Sequence, residues 1–159
     1  MKYFAYGMNT NLDEMARRCP GSQSLGSAYL NDFELCFRTH CDIAYNQGSK
    51  VHGVLWDINV DNLRALDALE GYPHYYTRFN VRVCQGRVWY NALVYQMNNQ
   101  NWLAEPSQYY LDCVRDGYTQ NGVPLNQIDD ALNTVSCYLS ARTKTVSKDI
   151  WSPTIKDYV

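Results

Sequence analysis

The segment Tyr3-Phe4-Ala5-Tyr6-Gly7-Met8-Asn9 decides how this chain is interpreted. The run from Lys2 to Tyr6 is short, apolar and aromatic, which is typical of a β-strand, and it stops at a glycine. A helix is predicted next, from Asn11, its cap, to Cys19. A strand that ends in Gly-x-Asn before a helix leaves backbone N–H groups free to bind a carboxylate, a phosphate or an oxyanion. The same spacing also fits an ordinary strand–turn–helix connection.

A second segment, Leu69-Glu70-Gly71-Tyr72, places a carboxylate at the end of a helix. Helical spacing predicts that helix over residues 60–69, with Asp61 as its N-cap. A helix C-terminus disfavours a negative charge, so an acid held there among apolar groups is expected to have a raised pKa. Such an acid suits proton transfer, whereas the simpler interpretation is an exposed surface glutamate.

The rest of the pattern is mixed, and strands predominate. Alternation predicts a strand over residues 27–38 interrupted by a turn at Asn31-Asp32, another over 51–58, and a pair over 76–84 and 88–97 joined at Gln85-Gly86. Two helices are predicted later, one over residues 106–117 with Ser107 as its cap and Gly117 as its stop, and one over 124–135. The sequence therefore predicts one α+β domain over residues 1–159, with a tail from residue 136 whose packing stays open.

Composition excludes several classes of protein. The chain has 159 residues, enough for one domain, and its 46% hydrophobic residues and 14 tyrosines exclude a disordered protein. A net charge of −2 argues against nucleic acid or an acidic membrane as the main partner. No apolar window is long enough for a membrane span.

The cysteines and histidines leave some chemistry open. The six cysteines contain no CxxC pair, so no metal site is predicted. The N-terminal apolar run is too short for a signal peptide, so a cytoplasmic location with free thiols is expected, although six cysteines could form three disulfides. A Cys–His nucleophile, such as His40 with Cys41, stays open beside a loop histidine. Arg38 is expected at the surface, with a substrate carboxylate as its alternative partner.

A third segment, Pro106-Ser107-Gln108-Tyr109-Tyr110, places tyrosines in the first turn of a helix. Tyr110 can present its hydroxyl to a site or pack in the core. These three segments resemble the γ-glutamylcyclotransferase-like family, together with Gly53-Val54-Leu55-Trp56, Glu70-Gly71-Tyr72-Pro73, Gly117 and Gly122-Val123-Pro124. The resemblance runs from Tyr3 to about Leu132, and the segments occur in the family's order.

The resemblance implies a small antiparallel β-barrel with flanking helices. It also implies an enzyme, needing no cofactor or metal, that releases 5-oxoproline from a small γ-glutamyl substrate. Glu70 would be the catalytic acid and base. The substrate would be bound by Tyr3, Phe4, Ala5, Tyr6, Gly7, Met8, Asn9 and Tyr110.

Two questions stay open in the sequence. Met8 stands where the family usually has serine, so a hydroxyl contact with the substrate is lost if relatives make one. The alternative function is a non-catalytic module that binds a small ligand in the same barrel, and such a module would be free to lose Glu70. The leaving group and the oligomeric state are not predicted.

Overall fold

A computed structural model describes residues 1–150 of the chain, with side-chain surroundings described to residue 145. The elements in chain order are β1 Lys2–Ala5, α1 Leu12–Arg18, β2 Gln23–Arg38, β3 His40–Asp57, α2 Val60–Leu69, β4 Tyr76–Gln85, β5 Val88–Met97, α3 Gln108–Asn121 and α4 Asn126–Ile150, with a short 3₁₀ turn, Met8–Thr10, after β1.

The strands form a closed barrel in the order β1-β3-β2-β4-β5. The expected α+β class and the small barrel with flanking helices are confirmed. Four of the strand pairings are antiparallel, but β1 lies parallel to β5, with Tyr3 opposite Leu93. This parallel contact differs from a wholly antiparallel barrel, and it closes the sheet so that β1 has a neighbour on both sides.

A long hairpin of β2 and β3 supplies most of the barrel wall. The turn predicted at Asn31-Asp32 is wrong: β2 continues through it with a bulge, and Asp32 has a φ of 63°. The bulge is stabilised because the Asp32 carboxylate accepts a hydrogen bond from the Gly48 N–H at 2.9 Å. The chain reverses instead at Thr39, where φ is 62°.

Side-chain caps fix where α1 and α2 begin. The Asn11 Oδ1 accepts from the N–H groups of Asp13 and Glu14 at 3.0 and 3.2 Å, as the sequence predicts for α1. The predicted cap of α2 is wrong by two residues: Asn59, not Asp61, accepts from the Asn62 N–H at 2.8 Å. The Asn62 side chain accepts in return from the Asn59 N–H, a reciprocal cap that involves no acid.

The helix α3 begins as predicted, with Ser107 capping it, but it does not stop at Gly117. It continues to Asn121, and Gly122 ends it with a φ of 66°. Gly117 has a packing role, because a Cβ atom there would lie 2.8 Å from the Asn11 Cα. The missing side chain thus lets α3 lie directly on the start of α1.

The helix α4 extends beyond the predicted end at Val135. Ile128, Ala131 and Val135 are buried and join the hydrophobic core. The helix continues to Ile150, so the first part of the predicted tail is helical, and residues 151–159 lie outside the described part. Within residues 1–150, no helix is both long and apolar enough to cross a membrane.

Candidate active site

A cavity of about 950 Å³ lies where β1, the 3₁₀ turn, α1, the end of α2 and the start of α3 meet. Seven of the nine residues predicted for the site line it: Tyr3, Tyr6, Gly7, Met8, Asn9, Glu70 and Tyr110. Phe4 and Ala5 do not line it. Both are buried in the barrel wall, where the Phe4 ring lies against the backbone of Gly53.

Glu70 is placed by the way α2 ends. Its own N–H still donates to the Leu66 carbonyl oxygen at 2.9 Å, whereas Gly71 has a φ of 62° and turns the chain away. The Tyr72 N–H then donates back to the Asp67 carbonyl oxygen at 2.9 Å, which is a Schellman motif. Only glycine adopts this conformation easily, so the Glu-Gly pair fixes where the carboxylate stands.

Burial gives the Glu70 carboxyl an unusual affinity for protons. The side chain is mostly covered, and the loss of solvent raises its pKa from 4.5 to about 7. The charge of Arg18 and a hydrogen bond from Asn9 oppose that rise. The group therefore exchanges a proton readily near neutral pH, which is the property that a general acid and base needs.

Asn9 joins the first segment to Glu70. Its side-chain nitrogen Nδ2 donates to Glu70 Oε1 at 3.3 Å and to the Tyr3 hydroxyl at 3.0 Å. Its oxygen Oδ1 accepts from Arg18 Nη1 at 2.8 Å. Two segments that are 61 positions apart in sequence thus meet through one amide group.

The turn after β1 is shaped by close packing at Gly7. A Cβ atom on Gly7 would lie 2.9 Å from both the Tyr110 hydroxyl and the Cys41 Cβ. The Tyr110 hydroxyl accepts from the Cys41 N–H at 3.0 Å. The 3₁₀ turn starts at Met8, so the N–H groups of Met8 and Asn9 have no partner within that turn. Gly7 thus brings a tyrosine hydroxyl and backbone donors together.

Tyr6 is fixed at both of its polar ends. Its hydroxyl donates to the Tyr95 carbonyl oxygen at 2.7 Å, and its own carbonyl oxygen accepts from the Tyr118 hydroxyl at 2.7 Å. The Tyr95 hydroxyl in turn donates to Asp67 Oδ1 at 2.7 Å. Asp67 lies on α2 three residues before Glu70, so β5 and α2 are tied together beside the cavity.

The side chain of Met8 contributes to the cavity wall. Its sulfur lies 2.8 Å from Arg18 Nη2. A serine at this position is shorter than methionine and has no group at the place of that sulfur. The methionine therefore gives the cavity surface beside Arg18 a different chemistry from that of a serine.

The expectation that Arg38 is a surface residue is wrong. Its side chain is buried and forms an ion pair with the fully buried Asp42 at 2.6 Å. Gln100 Nε2 and the Met97 N–H also donate to the Asp42 carboxylate, at 2.6 and 2.9 Å. Arg38 touches the cavity, but its charge is already balanced by Asp42, which holds the hairpin to the loop after β5.

Cys41 lines the cavity and lies next to His40 in the chain, the pair that the sequence left open as a nucleophile. Burial raises the pKa of the Cys41 thiol to about 12, so it carries almost no thiolate at neutral pH. Burial also lowers the pKa of His40. A neutral thiol beside a neutral imidazole is a poor nucleophile, so this pair does not support a covalent step.

Sequence reasoning missed Arg18, although it reaches Glu70 through Asn9. Its Nε lies 3.0 Å from Glu14 Oε2 in an i,i+4 ion pair on α1. A Glu and an Arg four residues apart on a helix are visible in sequence, but they usually mark a solvated helix face. Only the folded structure shows that Glu14 and Arg18 on this face of α1 line the cavity.

The mouth of the cavity is aromatic. Tyr75 and Tyr109 are 78% and 71% exposed, and both line the cavity together with Trp102. These rings lie at its edge, where a group attached to a bound ligand would meet solvent. Among the described side chains, no three His, Cys, Asp or Glu residues are gathered in a way that could hold a metal ion.

Comparison with known proteins agrees with this geometry. The family model described as "Gamma-glutamyl cyclotransferase, AIG2-like" matches residues 3–113. Curated gamma-glutamylcyclotransferases from Homo sapiens and Bos taurus are 33% and 32% identical, over 77% and 84% of this chain and 72% and 77% of theirs. A solved structure named gamma-glutamyl cyclotransferase superposes with a TM-score of 0.74 at 30% identity, covering 82% of this chain and 85% of that one.

Proposed function

Because this chain belongs to the gamma-glutamyl cyclotransferase, AIG2-like family, we propose that it is a γ-glutamylcyclotransferase with Glu70 as its general acid and base. The observation that carries the proposal is the position of Glu70, a carboxyl of pKa about 7 in the wall of the cavity. The side-chain amide of Asn9 joins this carboxyl to the turn at Tyr6–Asn9 by a hydrogen bond.

The proposed reaction is intramolecular. The α-amine of the substrate attacks its own γ-carbonyl carbon, so a C–N bond forms in a five-membered lactam. Glu70 takes the proton that the attacking nitrogen loses and gives a proton to the leaving nitrogen as the old C–N bond breaks. The products are 5-oxoproline and an amine or amino acid, and the carboxyl ends in the protonation state in which it began.

Two features of the cavity support this chemistry. The N–H groups at the start of the 3₁₀ turn are suited to bind the substrate α-carboxylate or the oxyanion that develops on the γ-carbonyl oxygen. The attack needs no second molecule, so holding the γ-glutamyl chain in a folded shape supplies a large part of the acceleration. Tyr110, whose hydroxyl packs on Gly7, adds a polar group at the same place.

The alternative is a module that binds a γ-glutamyl compound without turning it over. The decisive experiment incubates the purified chain with γ-glutamyl amino acids, γ-glutamyl amines and glutathione, and measures 5-oxoproline by mass spectrometry. We expect 5-oxoproline from at least one compound and none with Glu70→Gln. If the parent binds compounds in the panel by calorimetry but forms no 5-oxoproline from any of them, the binding module is the correct function.

A further inference from the structure

We propose that Arg18 is a positioning residue, and that its guanidinium fixes the Asn9 side-chain amide so that the amide nitrogen faces Glu70. The inference rests on the proposed function and extends it to a residue that does not contact the reacting acid directly. It is argued from the orientation that hydrogen bonding imposes on the amide.

The amide of asparagine has two unlike ends, an oxygen that only accepts and a nitrogen that only donates. Arg18 has only donors, and its Nη1 lies 2.8 Å from Asn9 Oδ1. The nitrogen of Asn9 must therefore point the other way, towards Glu70 Oε1 at 3.3 Å and the Tyr3 hydroxyl at 3.0 Å. A flipped amide would place two donors together at Arg18 and an oxygen against the Glu70 carboxylate.

The guanidinium of Arg18 is itself held in place. Glu14, one turn earlier on α1, lies 3.0 Å from Arg18 Nε, and both side chains are only 17% exposed. The neighbouring Arg17 binds the same carboxylate at 2.7 Å, but its side chain is 69% exposed. The two arginines carry the same charge and share a partner, yet only Arg18 reaches Asn9.

The consequence for Glu70 is that one oxygen is occupied and the other is available. Asn9 binds Oε1, and Oε2 has no hydrogen-bond partner among the described residues. We infer that Oε2 exchanges the proton with the substrate. Without Arg18, the amide could rotate, and Glu70 would lose the donor that fixes its rotamer.

The charged and titratable groups around Glu70 come from several elements. Arg18 on α1 lowers the pKa of Glu70, against the larger effect of burial. Tyr3 on β1, Tyr6 after it and Tyr76 on β4 also face this carboxylate. Burial raises the pKa of all three phenols, so they are neutral at neutral pH. Among the charged side chains of the described residues, Arg18 is the one whose charge acts on the pKa of Glu70.

The test is a double-mutant cycle with Arg18→Gln and Asn9→Ala, measured as kcat/KM for 5-oxoproline formation. We expect a loss of about a hundredfold from Arg18→Gln, because small displacements of catalytic groups cost this much. We expect the double variant to lose far less than the product of the two single losses, because Arg18 acts mainly through Asn9. Losses that multiply would overturn the proposal.

Two NMR measurements keep this test independent of turnover. The Asn9 side-chain NH₂ should exchange with solvent faster in Arg18→Gln, and the pKa of Glu70 should rise. Arg17→Gln is the matched control, since it removes the same charge from the same helix, and it should leave both readouts at the parent values. Equal shifts in the two variants would refute the role of Arg18, whereas a parent that makes no 5-oxoproline would refute the proposed function alone.

If Arg18→Gln does not fold, Arg18→Lys is used in the same cycle. Lysine keeps the charge but loses the planar fork that binds Glu14 and Asn9 together. The pKa of Glu70 should then stay nearer the parent value, whereas kcat/KM should still fall. The loss in kcat/KM from Arg18→Lys and the loss from Asn9→Ala should again not multiply in the double variant. Full activity in Arg18→Lys would show that charge alone is needed, and the positioning role would be wrong.

Discussion

Replacing Glu70 by glutamine should abolish turnover and at the same time stabilise the protein in alkaline solution. The amide is nearly isosteric, and its oxygen can still accept the hydrogen bond from Asn9. It cannot accept the proton of the attacking amine. Loss of a general base typically costs a factor of about 10² to 10⁴ in rate, so kcat for 5-oxoproline formation should fall by at least about a hundredfold.

The effect on stability follows from the raised pKa. The folded protein holds the Glu70 proton up to about pH 7, whereas an ordinary carboxyl loses it near pH 4.5. The folded state therefore binds more protons than the unfolded state between these values, and stability falls as pH rises through this window. The difference corresponds to an upper limit of about 3 kcal/mol above pH 7, because one pKa unit is worth about 1.4 kcal/mol.

Glutamine carries no charge, so the variant escapes this penalty. Thermal unfolding of the parent and of Glu70→Gln, followed by circular dichroism at pH 5 and pH 8, should show a larger advantage of the variant at pH 8. Glu34→Gln is the control, since Glu34 is exposed and does not line the cavity. It should leave both activity and the pH dependence of stability unchanged.

The pH–rate profile of the parent provides a second check on Glu70. With a pKa of about 7, about half of the carboxyls are ionised at pH 7 and about a tenth at pH 6, so kcat/KM should fall with decreasing pH below neutrality. A fully active Glu70→Gln variant, or a variant that is less stable than the parent at pH 8, would refute the reasoning. The first result would show that Glu70 is not the catalytic base, and the second would show that its pKa is not raised in the folded protein.

Three further substitutions test the turn opposite Glu70. Tyr110→Phe removes the acceptor of the buried Cys41 N–H, so the free energy of unfolding, measured in urea, should fall by about 1–3 kcal/mol. Its kcat/KM should fall less than that of Glu70→Gln. A stability equal to the parent's would contradict this. Gly7→Ala should lower both stability and kcat/KM, because the added carbon would lie 2.9 Å from the Tyr110 hydroxyl and from Cys41; an unaffected Tm would show that this packing is loose. Met8→Ser should change kcat/KM by less than about tenfold, because a backbone N–H bound to substrate is worth more than the contact of the sulfur with Arg18. Complete loss of 5-oxoproline formation would show that the Met8 side chain is required.

Most of the strands could be predicted from sequence because the alternation of apolar residues is strong, whereas the barrel was predicted only through the resemblance to the family. Asp32 shows where this reasoning fails. An Asn-Asp pair is a usual turn signal, but here the Asp32 carboxylate caps the Gly48 N–H on the opposite strand and stabilises a bulge. The partner lies 16 residues away, and local sequence carries no information about that distance.

The helix limits show a similar pattern. Asn59 and Asp61 are both good caps, and the local pattern does not choose between them. Gly117 was expected to stop α3, but its missing side chain serves the contact with Asn11, and Gly122 five residues later has the left-handed conformation that ends the helix. A glycine in sequence therefore marks either a stop or a close approach, and only the packing decides which.

The site itself was predicted through resemblance, and its supporting contacts were not. The motifs identified Glu70 and the Tyr3–Asn9 segment. The hydrogen bonds of the Asn9 amide to Glu70 and Arg18 depend on how the fold brings α1 to the cavity. Arg38 was misplaced for the opposite reason. A strand-end arginine is usually solvated, whereas here the buried Asp42 balances its charge within the hairpin.

The raised pKa of Glu70 also has an evolutionary consequence. A single nucleotide change converts a glutamate codon into a glutamine codon, and at neutral pH that change would make this fold more stable. Selection for stability alone would therefore favour the loss of this acid. A glutamate kept at this position therefore carries a stability cost, which a catalytic role would offset.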